Sequence, residues 1–405
     1  MNPESPRRRV VIVGCGFAGF YAALHFGRRS VPRWADVSVI DIRDYHLFTP
    51  LLYEAAAGSI SVDRLKHPVI PELQRQKIQF RQAWVEAADC VQHVLHTSDG
   101  DVPYDYLIVA NGSQPDFFGK PDLEEHTLPL KTIEDAEQVQ AQVAACIAAA
   151  LQLPAGPERE RLLTFAIVGA GPTGVELAGC LHQALYQRLL PPECRSPGSA
   201  RVVLLEAQES VLPGMVDDLG RAAASELQRV GVEIVTSAAV ESANIDGVFL
   251  CDRSFLPAGT VIWTAGVRGA ALPGISSAAT TADRRIVVGP DLQLPGHPGV
   301  FITGDLAAVP SEGTRVPPSA PAAIQTGRAA ARSVTRMMLG LAPVRFRYEY
   351  QGDLLALGYQ NAVAFVGGRL ITGAPALLLR RGVYLANLKG VSNRVGLALD
   401  WWLGH

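Results

Sequence analysis

A chain of 405 residues with 48% hydrophobic and 19% charged positions holds enough apolar material for two or three compact domains with real cores. A formal net charge of -3 and a pI near 6.3 exclude the strongly basic domain that nucleic-acid binding calls for. The six cysteines, Cys15, Cys90, Cys146, Cys180, Cys194 and Cys251, form no close pair and have no histidines at zinc spacing, which excludes a disulfide framework or a metal site and points to free thiols in a reducing compartment.

The leading stretch Met1 to Arg9 carries Arg7, Arg8 and Arg9 but runs straight into a β-branched segment, so no export signal is expected. Short apolar runs then recur at Val10–Val13, Val37–Ile40, Leu107–Val109, Phe165–Val168, Val202–Leu205, Val261–Trp263 and Val300–Ile302, several separated by helical patterns. Such runs fit parallel sheets covered by helices. The longest uncharged run, Gln138 to Pro157, is Ala-rich and interrupted by Gln140, Gln142 and Gln152, so it reads as a helix of a globular domain and not as a membrane span. Pro154 to Glu160 has the composition of a loop at a domain edge.

Two glycine fingerprints punctuate this pattern. The first is Val10-Val-Ile-Val-Gly14-Cys-Gly16-Phe-Ala-Gly19. In a strand–turn–helix of this form the first glycine allows the tight turn, the second lets backbone approach a pyrophosphate, and the third allows close helix packing, with the helix N-terminus facing the phosphate charge. Asp41 ends the next strand, where an acid binds a ribose hydroxyl. Cys15 inside the turn reads as a small filler. The second fingerprint, Phe165-Ala-Ile-Val-Gly169-Ala-Gly171-Pro-Thr-Gly174-Val-Glu176, is followed by a strand ending in Glu206. An acid there accepts both ribose hydroxyls of NADH and repels the extra phosphate of NADPH, and Ala207 and Gln208 supply no cation, so NADH is expected. Glu176 is placed in the first turn of its helix, either as a helix-start acid held by the dipole or as a proton-handling group. A duplicated unit means two dinucleotides.

With both turns in view, nearly the whole chain resembles the two-dinucleotide-binding-domain flavoproteins, and within them the type II NADH dehydrogenases, or NADH:quinone oxidoreductases. Tyr45-His-Leu-Phe-Thr-Pro-Leu-Leu-Tyr-Glu-Ala-Ala-Ala-Gly58 resembles that family's flavin-side segment, with His46 either a polar flavin contact or a structural histidine. Ala110-Asn-Gly112-Ser resembles its ATG-type loop, and Phe301-Ile-Thr-Gly304-Asp305 the second FAD motif, whose acid binds the ribityl chain. Trp263-Thr-Ala-Gly266-Val resembles the segment where the nucleotide domain rejoins, and Ser319-Ala-Pro-Ala-Ala-Ile-Gln325 the quinone-site segment, with Pro321 standing where the commonest form has a glutamine.

The resemblance implies an α/β fold of two Rossmann-like domains, the NADH domain inserted into the FAD domain, plus a small C-terminal region. The expected divisions are 1–120 and 291–345 for FAD, 121–290 for NADH, and 346–405 for membrane association or dimerisation. It implies FAD and NADH as cofactors, a non-proton-pumping transfer of two electrons to a membrane quinone, Glu176 in proton handling and Gln325 in quinone contact. The ending is apolar at helical spacing, through Tyr384, Leu388, Val391, Val395, Leu399 and Trp402, with Arg380, Lys389 and Arg394 at the margins. Gly382, Gly390 and Gly396 predict two short helices. This stripe either lies peripherally on the cytoplasmic face of a membrane or forms a core or homodimer seam. A disulfide reductase is excluded by the absence of cysteine between Phe20 and Ala57. A reductase of a small electron-carrier protein and a low-turnover NADH-binding redox sensor remain as alternatives.

Overall fold

The computed structural model describes residues 7–28, 31, 35–275, 279–311 and 314–403. Met1–Pro6, part of the stretch read for an export signal, lies outside them. Two compact units are present, each assembled from separated segments.

The first comprises Met1–Leu47, Lys66–Gln114 and Val267–Tyr350. Its five-stranded parallel sheet runs in the order Val300–Ile302, Tyr106–Val109, Arg8–Val13, Ala35–Asp41, Gln79–Gln82. The last four residues of Arg8–Val13 are all buried, as expected for a strand covered on both faces. The strand at 300–302 closes the sheet from far along the chain. The helices Phe17–Arg28 and Ala320–Met338 approach closely because Gly327 lies against the Ala18 backbone, where a Cβ would sit 2.1 Å from the Ala18 carbonyl oxygen.

The second unit comprises Phe48–Leu65, Pro115–Gly266 and Gln351–His405. Its parallel sheet has the order Leu128–Pro129, Thr260–Trp263, Thr164–Val168, Arg201–Leu205, Glu233–Val235. The Ala-rich run is an amphipathic helix, Ile133–Leu151, started by a Thr132/Asp135 capping box and burying Ile133, Val139, Val143 and Ile147. Among the described residues, no helix is long and apolar enough to cross a membrane. An antiparallel sheet of Asp353–Ala356, Ala362–Val366 and Arg369–Thr372 leads into two helices, Ala374–Asn387 and Val391–Leu403. The break falls at Gly390, with φ of +85°, while Gly382 and Gly396 are accommodated inside the helices.

These units cut the chain differently from the divisions expected from sequence. Residues 267–290 sit in the first unit, where Ile286–Val287 pairs with Ala307–Ala308. Gln351–His405 is part of the second unit, as is the short excursion Phe48–Leu65, and Pro154–Glu160 lies inside that unit.

Candidate functional site

In the first unit the strand Arg8–Val13 delivers Gly14 at φ of +91°, and a Cβ there would lie 2.5 Å from the Ala110 carbonyl oxygen. Gly19 is tighter still: its Cβ would lie 1.9 Å from the Gly14 oxygen. Gly16, by contrast, faces open space. Two glycines are therefore required by the protein's own packing, and the middle one keeps clear the side from which a ligand approaches. Asp41 fastens the turn. Its Oδ2 accepts the Cys15 N–H at 2.5 Å and its Oδ1 the Arg43 N–H at 2.9 Å. Cys15 is buried, and burial, with Asp41 adding to it, pushes its thiol well above the ordinary range, so it stays a neutral filler. His46 is also buried; its Nδ1 lies 3.2 Å from the Cys15 carbonyl oxygen, and its ring stacks on Phe20 at 4.9 Å.

Further along the same unit, Ala110, Ala18 and Ala323 pack together around Gly304, itself at φ of +66°. The Ser113 hydroxyl donates to Asp305 at 2.8 Å, and the Gly304 N–H donates to Thr326 at 3.0 Å. Gly112 has φ of +74° and open space where a Cβ would go. Between Ala110 and Gly112, the Asn111 amide oxygen is buried without a hydrogen-bond partner. An orphaned acceptor of this kind, beside an open glycine turn and acids at two strand ends, fits a polar cofactor. The residues present suit FAD.

The second unit repeats the device. Gly169 has φ of +101° and a Cβ there would meet Ala265 Cα at 2.5 Å; at Gly174 it would meet the Gly169 oxygen at 1.9 Å; at Gly171 it would meet nothing. Glu206 Oε2 accepts the Ala170 N–H at 2.7 Å and Oε1 accepts the Gln208 N–H at 2.9 Å, the counterpart of Asp41 on Cys15 and Arg43. Each carboxylate oxygen accepts more than one donor, so both acids retain capacity for ribose hydroxyls. The Thr264 hydroxyl ties the turn to the Thr260–Trp263 strand end, donating to Val168 and Gly169 oxygens at 2.9 Å. Gly266 lies against the Phe118 ring, 2.9 Å from a would-be Cβ.

Glu176 is not where the sequence put it. Its helix, Pro172–Ala184, begins on proline after Gly171, so Glu176 falls beyond the first turn. Dipole stabilisation fades there. Instead the carboxylate is held by the Ala356 N–H at 3.0 Å and by Arg380 at 3.2 Å, both on Oε1. Burial pushes its pKa up to about 7, against the opposing pull of Arg380 and Ala356. Arg380, read as a basic residue at the margin of a lipid-facing stripe, is instead 1% exposed. It also reaches Glu54 at 3.3 Å and the Tyr53 hydroxyl, and its guanidinium lies 4.2 Å from the Tyr384 ring centroid. Trp401 closes the cluster by donating its indole N–H to Glu54 at 2.8 Å.

Gln325 belongs to the first unit, one turn into the helix Ala320–Met338, whose N-cap is Ser319 and whose early proline is Pro321. Its amide is engaged at both ends by one residue: Nε2 donates to the Glu349 oxygen at 2.8 Å and Oε1 accepts the Glu349 N–H at 2.9 Å. Gly58, at φ of +73°, has its carbonyl held by Arg188 at 2.9 Å. No local signal in the sequence singled out Arg188, Glu54, Trp401 or the buried role of Arg380. No group of metal-binding side chains occurs among the described residues, and the six cysteines are free.

Two acid-locked dinucleotide turns on parallel sheets define a flavoprotein oxidoreductase that uses a pyridine nucleotide. Residues 8–327 match the pyridine nucleotide-disulphide oxidoreductase family. The chain is 35% identical to the type II NADH:quinone oxidoreductase Ndh of Mycobacterium tuberculosis, over 98% of this chain and 88% of that one. It is 30% identical to the type II NADH:quinone oxidoreductase of Staphylococcus haemolyticus, over 93% of this chain and 94% of that one. The fold is shared with NDH2 from Plasmodium falciparum, solved with NADH, at a TM-score of 0.87, with 98% of both chains covered and 17% identity. The chain belongs to the type II NADH:quinone oxidoreductase family.

Proposed function

We propose that this chain oxidises NADH and passes two electrons, by way of a bound FAD, to a membrane quinone. The observation that carries the reading is the duplicated turn: each of two units holds a strand-end carboxylate on the N–H of the residue inside a glycine loop. FAD, when bound, supplies the two-electron chemistry, accepting hydride and returning electrons to an acceptor. The protein's part is to bind, orient and manage protons. Gly14, Gly16, Gly19, Asp41, Ala110, Gly112, Gly304 and Asp305 would hold FAD. Gly169, Gly171, Gly174, Glu206 and Gly266 would hold NADH, with Glu206 setting the preference against NADPH by repelling a 2′-phosphate.

Quinone reduction consumes protons, and Glu176 suits their delivery: it is buried, with its pKa pushed up to about 7, where a carboxyl can both hold and release a proton near neutral pH. Gln325 is the proposed quinone contact, made by exchanging one of its Glu349 bonds for the quinone oxygen. The C-terminal helix presents Val391, Val395, Leu399 and Trp402 to solvent, at 76%, 54%, 49% and 81% exposure, with Leu378 at 69% on the preceding helix. That apolar row is assigned to peripheral contact with the cytoplasmic face of a membrane; sedimentation that showed a second copy covering it would reassign it to a homodimer.

Steady-state NADH oxidation by the purified yellow protein, with and without a short-chain quinone and with NADPH in parallel, tests the reading. Quinone-dependent turnover preferring NADH is expected. Rapid flavin reduction with no gain from quinone would favour a protein acceptor, and scarcely any reduction would favour a sensor.

A further inference from the structure

Glu176 shares its arginine with a second buried carboxylate. Glu54 and Glu176 lie 3.3 and 3.2 Å from Arg380, and the side chains of all three are at most 8% exposed. One guanidinium balances one carboxylate, and a remaining buried negative charge is resolved by taking up a proton. The donors decide where that proton sits. Glu54 Oε1 accepts the Tyr53 hydroxyl at 3.0 Å as well as Arg380, and its Oε2 accepts the Trp401 indole at 2.8 Å, so both oxygens face donors. Both bonds to Glu176 fall on Oε1, leaving its Oε2 as the position at which a proton adds.

We infer that Glu54 is a positioning residue: by accepting from Arg380, Tyr53 and Trp401 on its two oxygens, it assigns the exchangeable proton of the pair to Glu176. This rests on the reading of Glu176 as the proton-handling group. The charged and titratable surroundings are consistent with it. Tyr53 and Glu54 face Glu176 from Leu52–Ala56, Cys180 from one turn along its own helix, and Arg380 and Tyr384 from Ala374–Asn387. Arg381 turns to the Trp401 ring, 5.3 Å from its centroid. The strand Asp353–Ala356 contributes the Ala356 N–H, while on the neighbouring helix Asp217–Val230 Glu226 pairs with Arg229 and Asn361. On the adjoining strand Arg201 pairs with Glu233. For Glu176 burial is the largest upward influence and the Glu54 charge adds to it.

The test is a pH titration of the protonated-carboxyl infrared band, paired with the pH profile of short-chain quinone reduction, in the flavin-loaded protein and its Glu54→Gln, Glu176→Gln and Trp401→Phe variants. Glu176→Gln should remove the band. Glu54→Gln should move its midpoint, and the matching limb of the profile, about one to two units toward acid, because a competing like charge is gone and Arg380 pairs with Glu176 alone. Trp401→Phe frees one Glu54 oxygen, so the proton is divided between the two carboxyls and the band splits. A Glu54→Gln midpoint unchanged from wild type, while Glu176→Gln still removes the band, overturns the inference and leaves the role of Glu176 standing. A wild-type band and profile that survive Glu176→Gln overturn both. Should Glu54→Gln fail to fold, Trp401→Phe decides: a single unshifted band overturns the inference.

Discussion

Replacing Arg380 with methionine keeps most of the side-chain volume and removes the cation that, among the described residues, pairs with both Glu54 and Glu176. Both carboxylates remain buried, with Glu176 at 6% and Glu54 at 4% exposure. Breaking a buried ion pair by removing one partner costs about 3–5 kcal/mol, because the other charge stays in a poorly solvated place. At roughly 2 °C per kcal/mol for a domain of this size, the thermal midpoint should fall by about 6–10 °C. Differential scanning fluorimetry at pH 8 reads this directly, using flavin emission for release of the cofactor and tryptophan emission for unfolding of the chain. Adding Glu176→Gln to the Arg380→Met background should restore part of the loss, since a neutral amide needs no counter-charge. A drop below 2 °C, or a double variant no more stable than the single one, would refute the charge-balance argument.

Glu176 also makes stability depend on pH. Its pKa is raised from 4.5 to about 7, so the stabilisation from its protonated form is fully present below pH 4.5, falls as pH rises, and is gone above about pH 7. Urea unfolding should therefore show a downward slope across that window, of order 3 kcal/mol in total, which Glu176→Gln removes. Gly174→Ala should abolish NADH binding while leaving the protein yellow, because its Cβ would lie 1.9 Å from the Gly169 oxygen in the second unit; Gly171→Ala, with open space at its Cβ, should keep its melting temperature and raise the KM for NADH. Glu206→Ala removes two bonds to backbone N–H groups and should weaken NADH binding roughly 10- to 100-fold by titration calorimetry. Leu399→Glu with Trp402→Glu should lower co-sedimentation with anionic liposomes several-fold and leave turnover with a soluble quinone unchanged.

The seven strands anticipated from apolar runs are all present, since each is short, β-branched and covered on both faces, a property of the local sequence alone. The glycine turns were legible for the same reason: Gly14, Gly19, Gly169 and Gly174 answer to clashes within their own loops or with the adjacent strand end. The buried cluster was not. Arg380 and Glu54 are 326 positions apart, and Trp401 and Glu54 are 347 apart, so no spacing rule links them. Arg380 also lies between the run Leu377–Leu379 and the apolar stripe that starts at Tyr384, and that pattern alone reads as a cationic margin to a lipid-facing stripe. Glu176 was expected in the first turn of its helix, but the helix begins at Pro172, which leaves Glu176 beyond that turn. The excursion Phe48–Leu65 into the second unit brings Tyr53 and Glu54 to that helix, and only the folded chain shows it.

The most direct test of the central claim is an anaerobic double-mixing experiment that follows the flavin absorbance of the purified protein. Mixing with one equivalent of NADH should bleach the yellow colour within the time of a turnover, and a second mixing with a short-chain quinone should restore it at least as fast as steady-state turnover requires. Bleaching followed by no return on quinone would contradict the account, as would equal bleaching rates with NADH and NADPH at low concentration.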